Sequence, residues 1–391
     1  MSAAGDSDPS ALGFSTRAVH AGDPERGPGN PVVNPIYQTS TFFSEPAGGG
    51  EVWYSRYGNN PNHRQVEERV RILEGAEACL VTASGMGAMV SAILSCVRAG
   101  DHILAAEALY GGTRILLDRE LARLGIESSY VDLLRPGWES ALRPNTRVIL
   151  CETLSNPLLR FTDPADLVPV CSDIGASLIV DATFTPPSNL RTIERGADLV
   201  VHSATKYYGG HSDLTAGVVC GSSERLEEVR NRAKVFGVAP DPHSTWLLER
   251  GIKTLAVRMD RHNANGMEIA RWCSARAGIR RAHYPGLESH PDHLRARALL
   301  TGFGGMMGIE IEGGGEAATR FVAALRLVKP APSLGGVDTL VSEPRHTSHV
   351  AMLPEERAAQ GLADGFVRFS LGIEDAADLI EDIDQALRAA V

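Results

Sequence analysis

Between Cys79 and Cys220 the chain alternates short apolar runs with stretches of helical periodicity, and no other feature narrows its fold so far. Ala78–Thr82, His102–Ala106, Arg147–Cys151, Leu178–Val180, Leu199–Val201 and Ala216–Cys220 read as strands whose continuous apolarity demands burial on both faces. Ala88–Val97, Thr113–Leu124 and Asp166–Ile174 suit the helices between them. This alternation predicts an α/β fold with a mainly parallel central sheet and helices on both faces.

Past Gly251 the regularity fades. Val257–Arg276 reads as a long helix, Met306–Ile311 as a strand and Ala376–Ala390 as an amphipathic helix, which predicts a smaller α+β C-terminal domain. The residues up to Gly58 are rich in Pro, Gly, Ser and Thr and cannot build a core alone. At 391 residues the chain exceeds one ordinary core. The expected division is an N-terminal arm at 1–58, a ligand-binding domain at 59–255 and a C-terminal domain at 256–391, without internal repeats.

A formal charge of −10 with scattered arginines argues against a nucleic-acid partner. No 18-residue apolar run occurs, and Met1–Ser10 is small, polar and acidic, so neither secretion nor membrane insertion is expected and cytoplasm is the default. The six cysteines lack CxxC spacing and read as buried reduced thiols. No metal site is expected, because His202, His211, His346 and His349 have no cysteine at ligand spacing.

In open α/β sheets, ligands bind beyond the carboxyl ends of the strands. Those ends carry, in chain order, Ser84-Gly85-Met86-Gly87, Tyr110-Gly111-Gly112, Glu152 to Pro157, Asp181-Ala182-Thr183-Phe184, and Ser203 to Lys206. Together they offer a phosphate cradle at a helix start, a ring to stack, an amide, a carboxylate and an amine. Gly85-Met86-Gly87 with Glu107 downstream matches the start of a dinucleotide fingerprint, but Val90 occupies the third glycine position, which disfavours that reading. Lys206 by itself would suit a surface loop. Followed from Asp181, 25 residues upstream in the adjacent β-unit, it suits an aldehyde cofactor: the amine forms a Schiff base, Ser203 and Thr205 bind its phosphate, and the carboxylate keeps a pyridine nitrogen protonated. Asp181 alone would more simply cap a turn.

The segments Pro35–Phe42, Tyr54–Asn59, Ser84–Met86, Glu152–Pro157, Val200–Asp213, Ser333–Gly336 and Arg368–Asp375 resemble, in order and spacing, the Cys/Met metabolism family of pyridoxal-phosphate enzymes, which holds cystathionine γ-synthases, cystathionine γ-lyases and methionine γ-lyases. The resemblance covers nearly the whole chain and implies the fold-type I transferase architecture. It implies that Lys206 holds the pyridoxal 5'-phosphate aldehyde, Asp181 pairs with the ring nitrogen and Tyr110 stacks on the ring and serves in catalysis. Gly85, Met86, Ser203 and Thr205 hold the phosphate, with Ser84 and Thr183 among the cofactor contacts and Asn156 near the ring hydroxyl. Tyr54 and Arg56 complete a neighbouring subunit's phosphate site, which implies shared sites in a homotetramer of paired dimers. Arg368 clamps the substrate α-carboxylate, and Ser333 and Asn156 contact the substrate too.

The chemistry the resemblance implies is removal of the α-proton by freed Lys206, then loss of a β-proton and expulsion of the γ-thiolate with proton donation from Tyr110, and hydrolysis by water to 2-oxobutanoate and ammonia, with the thiol released. Two departures bear on the substrate. Pro332 stands where cystathionine-handling members generally carry a glutamate, so it cannot pair with a distal ammonium. Gly112 stands where many methionine γ-lyases carry a cysteine. Ala182 also replaces a usual asparagine. The role of Pro332 is the more direct, which favours a γ-lyase acting on methionine or a related thioether, possible cystathionine cleavage included. The alternatives are a γ-replacement synthase of the cystathionine γ-synthase or O-acetylhomoserine sulfhydrylase type and, more remotely, a non-catalytic cofactor-binding protein.

Overall fold

The computed structural model describes residues 11–24, 27–46, 48–347, 353–359 and 361–390. Met1–Ser10 and His349, weighed above, lie outside the described residues. Seven strands build the central sheet: β1 (Ala78–Thr82), β2 (His102–Ala106), β3 (Glu127–Val131), β4 (Thr146–Glu152), β5 (Ser177–Asp181), β6 (Leu199–His202) and β7 (Gly217–Gly221). Their spatial order is β1-β7-β6-β5-β4-β2-β3. β7 runs antiparallel to β1 and β6, and the remaining pairs are parallel. Because β7 alone reverses, β1 points the same way as β6, and the carboxyl ends of β1, β2, β4, β5 and β6 emerge along one edge.

Alternation along each strand sends neighbours to opposite faces. Leu104, Ile149, Cys151, Leu178, Val180, Val200 and Val218 enter one apolar layer. Ile103, Val148, Leu150, Ile179, Leu199, Val201 and Val219 enter the other. Two covered faces account for the unbroken apolar runs. β3 is the strand that the apolar pattern passes over: Glu127-Ser128-Ser129-Tyr130-Val131 lies at the sheet edge, where one neighbour and partial exposure tolerate polar residues. The helix expected over Thr113–Leu124 starts at Gly111 and becomes π-helical over Leu116–Leu121.

The C-terminal part carries a second sheet of β8 (Ile279–His283), β9 (Met306–Ile311), β10 (Lys329–Pro330), β11 (Leu340–Ser342) and β12 (Phe366–Ser370), ordered β10-β11-β12-β9-β8. The helix Ala376–Ala390 buries Leu379, Ile383, Ala386 and Leu387 against it, beside Met307, Ile309, Phe321 and Phe369. The helix Leu255–Ser274 joins the two parts, since Leu255 and Met259 belong to the central core while Ile269, Ala270 and Cys273 belong to the second. The two cores share this continuous element.

The beginning of the expected arm is docked. In the helix Phe14–His20, Ala18 is fully buried, and Arg69, itself fully buried, donates to the Ala18 and Val19 carbonyls at 2.8 and 2.6 Å while reaching Asp23 and Glu249. The small alanine admits close approach, and the guanidinium satisfies carbonyls at the helix end. Beyond it the irregular stretch leaves Val32, Phe43 and Val52 exposed. No described helix is long and apolar enough to cross a membrane.

Candidate active site

A cavity of about 740 Å³ opens at the carboxyl edge of the central sheet, with β12 and the turn around Ser333 forming its far wall. It is lined by Ser84, Gly85, Met86, Tyr110, Asn156, Asp181, Thr183, Ser203, Thr205, Lys206, Ser333 and Arg368. Tyr54 and Arg56 lie elsewhere. Tyr54 bridges to Thr41, and Arg56 donates to the Lys234 carbonyl at 2.9 Å while lying over the Tyr57 ring.

Each wall follows from local chain chemistry. After β1, Ser84 caps the helix Gly85–Cys96 by accepting the Gly87 N–H at 3.0 Å, which leaves main-chain N–H groups at the helix start facing the cavity mouth. Gly85 is required there, because a Cβ would come within 2.7 Å of Ser203 Cβ. Across from it, Thr183 Oγ1 accepts the Ser203 N–H at 2.9 Å, tying the end of β6 to the end of β5. The Thr205 hydroxyl is bound to the main chain of Ala216, just before β7, accepting its N–H at 3.0 Å.

Lys206 donates from Nζ to Ser333 Oγ at 2.7 Å. Burial, and then the positive charge of Arg368, lower its pKa to about 8. Arg368 donates from Nη1 to Asn156 Oδ1 at 3.0 Å and from Nη2 to the Ser333 carbonyl at 3.4 Å, while its Nε is buried without a partner. Burial draws the Arg368 pKa down to about 10. Ser333 adopts φ 104°, a conformation that costs a non-glycine residue about 1–3 kcal/mol, and thereby presents its hydroxyl to the amine and its carbonyl to the guanidinium.

The floor is acidic. Asp181 ends β5, accepts the Thr183 N–H at 2.9 Å, and has its pKa raised by burial. Glu152 ends β4 opposite Asp181 in register, and its Oε1 accepts the Tyr110 N–H at 2.6 Å. Burial and then the Asp181 charge push the Glu152 carboxyl well above the usual carboxylate range. The Tyr110 ring is half exposed and folds over Gly112, where a Cβ would stand 2.5 Å from Tyr110 Cε1.

Sequence reasoning names Glu152, Leu154 and Phe184 only as members of strand-end segments, without a role, and does not single out Met89, Thr113 or Thr215; all six line the cavity. Glu152 was within reach of it, as a carboxylate closing a strand beside the one that ends in Asp181. Thr215 precedes the antiparallel strand and escapes a search of strand carboxyl ends.

The arrangement fits pyridoxal phosphate on three observations: a glycine cradle at a helix start, a buried carboxyl whose raised pKa would be relieved by a ring cation, and a low-pKa amine within the same cavity. An unpartnered buried guanidinium nitrogen beside that amine suits an added carboxylate.

The family model for Cys/Met metabolism PLP-dependent enzymes matches residues 15–388. An L-methionine gamma-lyase of Pseudomonas putida is 40% identical over 97% of this chain and 98% of its own length. An O-succinylhomoserine sulfhydrylase of Pseudomonas aeruginosa is 38% identical over 98% of this chain and 97% of its own. Among solved structures, a cystathionine gamma-lyase from Lactobacillus plantarum in complex with L-serine superposes with a TM-score of 0.92 at 33% identity, covering 97% of this chain and 99% of that one.

Proposed function

The chain belongs to the Cys/Met metabolism family of pyridoxal-phosphate-dependent enzymes, and from that premise we propose that it is a γ-lyase cleaving the Cγ–S bond of methionine or a related thioether to a thiol, 2-oxobutanoate and ammonia. Pyridoxal phosphate, when bound, supplies an electron sink for negative charge developing beside the substrate amino group. The remaining work falls to the side chains.

On this reading Asp181 would hold the ring nitrogen protonated, and Gly85, Met86, Ser203 and Thr205 would hold the phosphate, with Ser84 and Thr183 beside them; all line the cavity. Arg368, already aligned by Asn156 and the Ser333 carbonyl, would bind the substrate α-carboxylate through parallel hydrogen bonds. A lysine of pKa about 8 is about one-tenth neutral at pH 7, so Lys206 Nζ is fit to attack an aldehyde and afterwards to take the substrate α-proton. Tyr110, which also lines the cavity, would give the leaving sulfur its proton as a substrate β-proton is lost. Water then completes hydrolysis to the oxo acid and ammonia.

The observation that carries the choice of substrate is the wall at Pro332, which lines the cavity beside Ser333 and Leu334. The carboxylates lining the cavity among the described residues are Glu152 and Asp181, both in the floor rather than on that wall. An uncharged thioether tail suits such a wall better than a tail bearing a distal ammonium. The likeness to an O-succinylhomoserine sulfhydrylase supports a second reading, in which a thiol replaces a γ-ester on the same substrate backbone.

Product analysis separates the two. Purified protein supplied with pyridoxal phosphate is offered methionine, cystathionine, or O-acetylhomoserine with and without a thiol. The lyase reading expects 2-oxobutanoate from methionine with no thiol added. Thioether formed only when ester and thiol are both present, with methionine untouched, would assign the chain to the synthases.

A further inference from the structure

Glu152 holds a central place in the floor that the reaction as described does not use. Its carboxylate accepts the Tyr110 main-chain N–H at 2.6 Å and lies near the Asn156 main chain. In the sheet it stands directly opposite Asp181. One side chain, only 8% exposed, therefore adjoins the residue offered for ring stacking, the residue that aligns Arg368, and the carboxylate offered to the ring nitrogen.

Tyr110 has little else to fix it. Its ring is 49% exposed, and it stands at the start of the helix that begins at Gly111 and runs on through the π-helical turns Leu116–Leu121, with no side-chain hydrogen bond at the cap. A half-exposed ring at a helix start is placed by its main-chain anchors, and Glu152 supplies the anchor on the cavity side. We propose that Glu152 is a positioning residue that sets Tyr110 in place beside Asp181; the inference rests on the reading that these two hold the cofactor.

The work Glu152 does is that of an acceptor rather than of a charge. Burial and the neighbouring Asp181 favour its protonated form, in which a carbonyl oxygen still accepts a main-chain N–H. Glutamine offers the same carbonyl at the same reach. Aspartate withdraws it by one methylene, and alanine removes it.

The test uses the whole protein loaded with pyridoxal phosphate. Cofactor affinity, visible circular dichroism per bound cofactor, and kcat against KM are compared for wild type, Glu152→Gln and Glu152→Ala. Glu152→Ala is expected to bind the cofactor about tenfold more weakly, to show reduced dichroism per bound cofactor, and to lose kcat more than KM, the size expected for a buried N–H left unpaired. Glu152→Gln is expected to stay within about threefold of wild type. If alanine prevents folding, Glu152→Asp carries the same expectation as alanine. Glu152→Ala with wild-type affinity and dichroism, or Glu152→Gln as impaired as Glu152→Ala, would overturn the inference and leave the proposed function standing. Wild-type protein that binds no pyridoxal phosphate would overturn both.

Discussion

At the scale of single residues, the reactive lysine and the glycine near the tyrosine make the sharpest predictions. Lys206 loses part of its preference for the charged form because its surroundings are dry and Arg368 is near. Only the neutral amine attacks an aldehyde, so capture of pyridoxal phosphate by cofactor-free protein should rise with pH, inflect near pH 8 and level above it. Stopped-flow absorbance measures this directly, and an inflection above pH 10, as for a solvated lysine, would contradict it. Gly112 admits the Tyr110 ring at a place where any Cβ would collide with it. Gly112→Ala should therefore shift the half-exposed ring and lower kcat by a few-fold at most, since family members with cysteine here seat their tyrosine beside a Cβ, while KM for methionine, set largely by Arg368, changes less. Steady-state kinetics that show equal loss in both constants would place the tyrosine's role elsewhere.

At the scale of elements, the segment that follows the lysine is held by a helix behind it. Arg258, on the helix Leu255–Ser274 and only 3% exposed, donates to the carbonyls of Tyr207 at 2.6 Å, Tyr208 at 3.3 Å and Gly251 at 2.8 Å. Burial lowers its pKa to about 10. Arg258→Met would leave those carbonyls unpaired, and urea denaturation should show a loss of about 3 kcal/mol, whereas a loss under 1 kcal/mol would mean that water replaces the guanidinium. How much of this level is legible in the sequence follows from burial. β1, β2 and β9 fall where their apolar runs place them, because both faces of the first two are covered and β9 is buried along its length. β3 hides because an edge strand needs no apolar run, and the docked helix Phe14–His20 hides because seven residues with one fully buried alanine carry little periodicity. The candidate site is legible where it stands on strand ends, as with Asp181 and Lys206. It is not where a side chain acts through the main chain of a distant residue: the bond from Tyr110 to Glu152 spans 42 positions, and Arg368 reaches Asn156 across 212. Arg368 is found only through the family pattern, since an arginine within a strand carries no local signal.

At the scale of the whole molecule, the stretch from Val32 to Val52 exposes apolar side chains while Tyr54 and Arg56 stand outside the cavity of their own chain. Residues so placed suit a second copy, whose cavity they would complete. Two variants, Lys206→Ala and Arg56→Ala, each impaired alone, should then regain activity when unfolded together and refolded, approaching about one-quarter of the wild-type level for random dimers with one intact site in each hybrid. Activity no greater than the sum of the separate variants would restrict each site to one chain. The account as a whole stands on the amine at the end of β6. Reducing the pyridoxal-phosphate-loaded protein with borohydride, digesting it and mapping the labelled peptide by mass spectrometry should find the cofactor on Lys206 in wild type and no stable label in Lys206→Ala. A label on another lysine, or the same label in both proteins, would contradict it.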